Sequence, residues 1–110
     1  FEVWGTGKPL REFLFIDDLA NAIKFIIENN VEPGLYNVGS NEEVTIKELV
    51  ENIKSVISYP GQIIFDETKP DGNPRKLLDS SKFKNLGWKP SINLTKGLEE
   101  TYSWFLKNII

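Results

Sequence analysis

The sequence predicts an α/β fold in which short strands alternate with amphipathic helices. A continuous apolar run, FLFI at 13–16, is followed at once by a helical apolar pattern, and a second apolar segment, 35–39, follows the turn at Pro33-Gly34. A strand without polar alternation is typical of a strand covered on both faces. A helix joining two such strands over so few residues gives a parallel βαβ unit. We therefore expect a short parallel βαβ unit between residues 13 and 39.

The helix of this unit is expected to begin at Asp17 and Asp18. Both are favourable in an N-terminal cap and first turn, where a carboxylate accepts free backbone N–H groups. Apolar residues then recur at the i, i+3, i+4 and i+7 spacing of an amphipathic helix. These residues are Leu19, Ala22, Ile23 and Ile26. The helix is expected to end near residues 29–30.

A second helix is expected from Thr45, because Glu48 follows three residues later in the spacing of a capping box. Pro60-Gly61 ends it, and a third short strand is predicted at 62–65. A short helix capped by Ser80 or Ser81 should close at Gly87.

A last helix should begin near Thr95, which makes about four helices in all. Three short strands make a small sheet with unpaired edges. Further sheet is therefore expected from preceding residues or from another chain.

The composition argues against several classes of function. The 110 residues are 40% hydrophobic and 26% charged with a net charge of −3, which is typical of a globular protein and disfavours a duplex nucleic-acid binder. The absence of Cys and His excludes disulfides, Cys or His metal sites and His-based catalysis. No apolar stretch is long enough to span a bilayer, and the lack of Cys fits the cytoplasm. The first residue is Phe1 rather than Met, so we expect a fragment or a processed product.

Two segments are candidates for binding an anionic ligand that carries a ring. In residues 4–11, Trp4 offers a flat stacking face and Arg11 a planar fork suited to phosphate. In the polar loop 69–76, Asp71 offers an acceptor, and Arg75 and Lys76 offer adjacent cations. A tight turn with a solvated arginine, and an ordinary charged surface loop, are the alternatives.

The segment Gly39-Ser40-Asn41 is a third candidate, because ligands of open α/β folds gather at the carboxyl ends of strands. A simple turn is an equal alternative. Asp17 and Asp18 are better explained as helix-start residues than as catalytic carboxylates. The residues themselves indicate no catalytic group and no metal ligand.

Read together, these segments resemble the C-terminal region of extended short-chain dehydrogenases that act on nucleotide sugars. The shared landmarks are VWGTG at 3–7, REFL at 11–14, IDDLA at 16–20 and YNVGS at 36–40. The segment KPDGNPRKLLD at 69–79, with LGW at 86–88, resembles GDP-L-fucose synthases in particular.

The resemblance implies that residues 1–110 are a C-terminal nucleotide-sugar-binding region, without the Rossmann domain that binds NADP(H). It implies conversion of GDP-4-keto-6-deoxy-D-mannose to GDP-L-fucose by 3,5-epimerisation and NADPH-dependent 4-reduction. The catalytic groups would then precede this chain, which would be inactive alone. The implied substrate contacts are Trp4, Arg11, Asp71 and Lys76. The implied partners are the GDP-sugar, the preceding Rossmann domain and a second subunit of a homodimer, with no nucleic acid and no membrane.

Two other functions remain open. The chain is alternatively the same region of another nucleotide-sugar epimerase or dehydratase, since most of the landmarks are shared across those enzymes. It is also compatible with a non-catalytic nucleotide-binding or interaction module, which would lack a preceding Gly-rich turn.

Overall fold

The computed structural model describes all 110 residues and confirms the α/β class, with four helices as expected. The helices are α1 (Ile16–Glu28), α2 (Ile46–Val56), α3 (Ser81–Lys84) and α4 (Leu94–Asn108). The strands are β1 (Glu2–Trp4), β2 (Leu10–Glu12), β3 (Glu43–Thr45), β4 (Ile64–Asp66) and β5 (Arg75–Lys76). No helix has the length and apolar character needed to cross a membrane.

The strands form two small sheets. In the first, β1 pairs with β4 in parallel. In the second, β2 lies between β3, which is antiparallel to it, and β5, which is parallel. Parallel pairs are thus present. Parallel strands need a long crossover connection, and the one from β1 to β4 contains two helices.

The placement of the βαβ unit at 13–39 was wrong. Residues 13–15 join β2 to α1 without strand pairing, and 35–39 is likewise unpaired. The apolar character of both segments comes from side-chain packing. Leu14, Tyr36 and Val38 all pack against the buried core, so these residues are apolar without belonging to a sheet.

The helix boundaries follow the sequence closely, and Asp17 and Asp18 lie in the first turn as expected, but neither caps the helix. The N-cap of α1 is Phe15, without a side-chain cap. Asp18 is only 2% exposed, and its carboxylate accepts three hydrogen bonds, from the Ser91 N–H, the Ser91 hydroxyl and the Ile92 N–H, at 2.9–3.0 Å. Asp18 therefore joins α1 to a segment more than seventy residues away.

The capping box of α2 is confirmed. The Thr45 hydroxyl accepts the Glu48 N–H at 3.1 Å, and the Glu48 carboxylate accepts the Thr45 N–H at 2.7 Å. The bond from the Thr45 N–H, and then one from the Thr45 hydroxyl at 2.9 Å, hold the pKa of the Glu48 carboxyl below its ordinary value. The strand predicted at 62–65 is present as β4, shifted towards its C-terminal end.

The two remaining helices are also present. The N-cap of α3 is Ser80, one of the two predicted serines, but it makes no side-chain cap bond, since its hydroxyl donates to Asn41 at 2.6 Å. The cap of α4 is Asn93, whose side chain accepts the Lys96 N–H at 2.9 Å.

The buried core is small and centres on Phe83, which is fully buried; the other core residues are Ala22 and Trp88. The Phe83 ring meets Phe25 and Tyr36 edge to face, with ring centroids 5.8 and 5.9 Å apart. Such pairs stabilise a core beyond the area they bury. The core thus joins α1, α3 and the unpaired segment around Tyr36.

Much apolar surface lies outside this core. One face of α1 exposes Ile16, Leu19, Ile23 and Ile27. The radius of gyration is 16.6 Å, whereas a compact domain of this length has about 13 Å. The expectation that further structure covers these surfaces stays a prediction.

Candidate ligand-binding surface

The four predicted site residues lie in, or in the strands beside, the two connections between the two sheets. Residues 5–9 lead from β1 to β2, and residues 67–74 lead from β4 to β5. Since β1 pairs with β4 and β2 with β5, the two connections run side by side. We call them the paired crossing. The structure thus brings together two segments that are separated by more than fifty residues in the sequence.

The paired crossing is closed by hydrogen bonds at both ends. The Gly5 N–H donates to the Asp66 carbonyl at 2.9 Å, and the Leu10 N–H donates to the Pro74 carbonyl at 2.9 Å. Between these points no backbone hydrogen bond joins the two connections.

Asp71 bridges the space between them. Its carboxylate accepts the Thr6 N–H at 2.8 Å and the Thr6 hydroxyl at 2.6 Å. The hydroxyl bond, then the N–H bond, and to a smaller extent the charge of Lys8 hold the pKa of Asp71 below its ordinary value. Asp71 is therefore a carboxylate at neutral pH.

Two glycines allow this close approach. Gly5 has φ +91°, and a Cβ there would collide with the Asp71 carboxylate. Gly7 has φ +76°, and a Cβ there would lie 2.6 Å from the Phe65 ring. Only glycine adopts such backbone angles at little cost. The two glycines therefore let the turn approach Asp71 on one side and the Phe65 ring on the other.

Trp4 presents its indole to solvent. It is 68% exposed, and its Nε1 donates to the Glu2 carboxylate at 3.0 Å. The Lys69 ammonium lies 5.5 Å from the ring centroid, within range of a cation–π interaction. Trp4 is therefore a largely uncovered flat surface at the start of the paired crossing.

Arg11 and Lys76 are partners in the parallel register of β2 and β5, so their side chains share one face. Arg11 Nη1 donates to the carbonyls of Leu10 and Asn73 at 2.7 and 2.8 Å, which leaves Nε and Nη2 without a partner in the chain. Lys76 makes neither an ion pair nor a side-chain hydrogen bond. Two cationic groups are thus available at the far end of the paired crossing.

Arg75, the other cation of the predicted loop, is already engaged. Its Nε and Nη2 donate to the two oxygens of Glu43 at 2.7 and 2.8 Å. This bidentate ion pair raises the pKa of Arg75 and lowers that of Glu43. Arg75 therefore joins β5 to β3 and is not free for an anion.

The candidate segment 39–41 is a structural junction. The Asn41 N–H donates to Glu12 at 2.7 Å, and the Asn41 side chain accepts the Ser80 hydroxyl at 2.6 Å. A Cβ at Gly39 would lie 2.6 Å from the Glu12 carboxylate. Of the two alternatives for this segment, the structure favours the turn.

Comparison with known proteins shows which enzymes this chain is similar to. Residues 1–39 match the NAD dependent epimerase/dehydratase family. Over 108 residues the chain is 54% identical to probable GDP-L-fucose synthase 1 of Oryza sativa subsp. japonica, covering 98% of this chain and 33% of that protein. The chain is a homologue of GDP-L-fucose synthases.

Two further relatives support the same homology. The GDP-L-fucose synthase of Escherichia coli (strain K12) is 46% identical over 96% of this chain and 36% of its own length. A crystal structure of a GDP-L-fucose synthetase from Naegleria fowleri, bound to NADP, superposes with a TM-score of 0.82 at 31% identity, covering 98% of this chain and 35% of that one. The chain spans about a third of the length of the curated relatives it matches.

Sequence reasoning missed Thr6, Lys69 and Asn73, which connect the predicted site residues to one another. Thr6 lies between two glycines and Lys69 opens the predicted loop, so both were within the segments singled out. Only the tertiary pairing of those segments gives them a role.

Proposed function

We propose that this chain is the C-terminal nucleotide-sugar-binding region of an enzyme that converts GDP-4-keto-6-deoxy-D-mannose to GDP-L-fucose. The observation that carries the proposal is the placement of Trp4, Arg11, Asp71 and Lys76 along one paired crossing, in a homologue of GDP-L-fucose synthases. The reaction is a 3,5-epimerisation followed by reduction at C4 with NADPH.

Each residue has a role that its surroundings allow. Arg11 and Lys76 carry partnerless cationic donors on one face, which suits the two charges of a diphosphate. Trp4 offers its exposed ring for stacking against a ring of the ligand. Asp71 accepts a hydrogen bond from the ligand, since each carboxylate oxygen has more than one acceptor position.

The chemistry itself belongs to residues outside this chain. The 110 residues contain no His or Cys for acid–base work. NADP(H) is bound by a preceding Rossmann domain, which also packs against this region, and the complete enzyme is a cytoplasmic homodimer. The isolated chain is therefore inactive, and its contribution is to hold the substrate.

The test is a calorimetric titration of GDP into the full-length protein. Arg11→Ala should weaken binding by about 1.5–3 kcal/mol, the range for a hydrogen bond to a charged group. Arg75→Ala is the matched control, because it removes a neighbouring arginine that is already paired with Glu43. A GDP affinity that is unchanged in Arg11→Ala, or equally reduced in both variants, would contradict the proposal.

The second candidate is another nucleotide-sugar epimerase or dehydratase. It is favoured by the match of residues 1–39 to that broad family. Competition separates the two functions: tighter binding of UDP- or dTDP-sugars than of GDP-sugars would support the second.

A further inference from the structure

We propose that the hydrogen-bonded pair of Thr6 and Asp71, here called the clasp, is a positioning device that fixes Trp4 relative to Arg11 and Lys76. The clasp would hold the stacking surface and the two cations at the spacing of one ligand. This role rests on the proposed function, because it concerns the same surface. It gives Thr6, which makes no proposed ligand contact, a part in binding.

The argument begins with where the site residues are anchored. Trp4 ends β1 in the two-stranded sheet, whereas Arg11 and Lys76 lie in the three-stranded sheet. The two halves of the site thus belong to different hydrogen-bonded units. Their relative position depends on what joins the two sheets.

Few bonds join the two connections of the paired crossing. No backbone hydrogen bond links them between the Gly5–Asp66 bond and the Leu10–Pro74 bond. Across that gap the side-chain hydrogen bonds are the clasp and the bond from Arg11 to the Asn73 carbonyl. The clasp is the one that holds the middle of the turn.

The opposite side of the turn rests on α2. The Gly7 carbonyl accepts the Lys47 N–H at 2.9 Å, and the Pro9 carbonyl accepts the Ile46 N–H at 3.0 Å. The Thr6 hydroxyl, which donates to Asp71, also accepts the Lys8 N–H at 3.2 Å. Without the clasp, residues 6–9 would be held between the two end bonds only by α2, so that they could move relative to the loop 67–74.

The test compares two ligands in the full-length protein. GDP engages both halves of the site, whereas pyrophosphate engages only Arg11 and Lys76. Thr6→Val removes the hydroxyl bond to Asp71, and with it the acceptor of the Lys8 N–H, while keeping the shape of the side chain and the bond from the Thr6 N–H to Asp71. We expect it to weaken GDP binding about threefold to tenfold, less than the full effect of a hydrogen bond to a charged group because this bond acts on the ligand only indirectly, and to leave pyrophosphate binding unchanged.

Two more variants complete the design. Thr6→Ser keeps the hydroxyl and should restore the wild-type affinity for GDP. The double variant Thr6→Val/Asp71→Ala should bind GDP no more weakly than Asp71→Ala, because the hydroxyl bond is already lost when its acceptor is removed.

The outcomes separate the inference from the proposed function. Wild-type affinity for GDP in Thr6→Val overturns the positioning role while leaving the proposed function in place. Equal losses for GDP and pyrophosphate also overturn it, since they show a general loss of structure. A wild-type protein that does not bind GDP overturns the proposed function and this inference with it.

Discussion

The buried carboxylate of Asp18 provides the sharpest test of the fold. In Asp18→Asn the side chain keeps its shape, but one oxygen becomes an NH₂ group. The carboxylate accepts the Ser91 N–H and hydroxyl on Oδ1 and the Ile92 N–H on Oδ2. An amide can accept from only one of the two backbone N–H groups, so in either orientation its NH₂ faces the other.

The cost follows from these bonds. One hydrogen bond to a charged acceptor is lost, and the remaining ones become neutral and weaker. Together we expect a loss of about 2–4 kcal/mol in local stability. Because the bonds hold backbone amides, hydrogen exchange of the peptide containing Ser91 and Ile92 reports the loss directly in the full-length protein. We expect exchange there to accelerate at least about tenfold.

The pH dependence gives a second, independent readout. Burial raises the pKa of Asp18, but the bonds from Ser91 and Ile92 outweigh it and place the pKa below its ordinary value of 3.8. A carboxylate with a lowered folded-state pKa stabilises the fold fully above its unfolded pKa, and this stabilisation is lost as the pH falls through the folded pKa. The difference between wild type and Asp18→Asn should therefore be constant from about pH 7 to 5 and shrink below about pH 4.

The matched control is Asp17→Asn, which changes the adjacent carboxylate in the same helical turn. Asp17 is exposed and accepts no hydrogen bond from the 91–92 segment. Its replacement should alter only the weak interaction with the helix dipole. Equal exchange at Ser91 and Ile92 in the two variants, or a difference independent of pH, would refute the reasoning.

Two other predictions concern the capping of α2 and the exposed apolar surface. Thr45→Ala should destabilise the N-terminus of α2 by about 1 kcal/mol, because the Glu48 N–H loses its acceptor, and Thr45→Ser should not. Hydrogen exchange at residues 46–49 measures this, and equal protection in the two variants would count against the capping box. The isolated 110-residue chain should self-associate, since α1 and α4 expose Ile16, Ile23 and Trp104. A monodisperse monomer with a cooperative thermal transition, seen by light scattering and calorimetry, would contradict that.

Two predictions that depend only on residues close together in the sequence were confirmed. The capping box at Thr45 and the helical spacing after Asp18 involve neighbours within a few residues, and both helices are present. The prediction of a strand at 13–16 was wrong because an apolar run does not show whether its residues belong to a sheet or pack outside one. Only Leu14 of this run packs near Phe83, Phe13 and Ile16 are exposed, and β2 ends just before the run.

The site likewise combines features that the sequence predicts with features that depend on tertiary contacts. Residue type made the segments 4–11 and 69–76 candidates, because stacking and phosphate binding need particular side chains. The resemblance then implied Trp4, Arg11, Asp71 and Lys76. Residue type did not separate Arg75 from Lys76, since both are exposed cations in one loop. Only the strand register, which places Glu43 within reach of Arg75, shows that one is paired and the other free.

By itself the sequence determined the α/β class, the helices and the chemistry available for a ligand, because these depend on side-chain type and on spacings of three or four residues. The tertiary structure decided the strand pairing, the tertiary role of Asp18 and the clasp between Thr6 and Asp71. Each of these joins residues more than thirty positions apart, and their partners are chosen by how the whole chain packs.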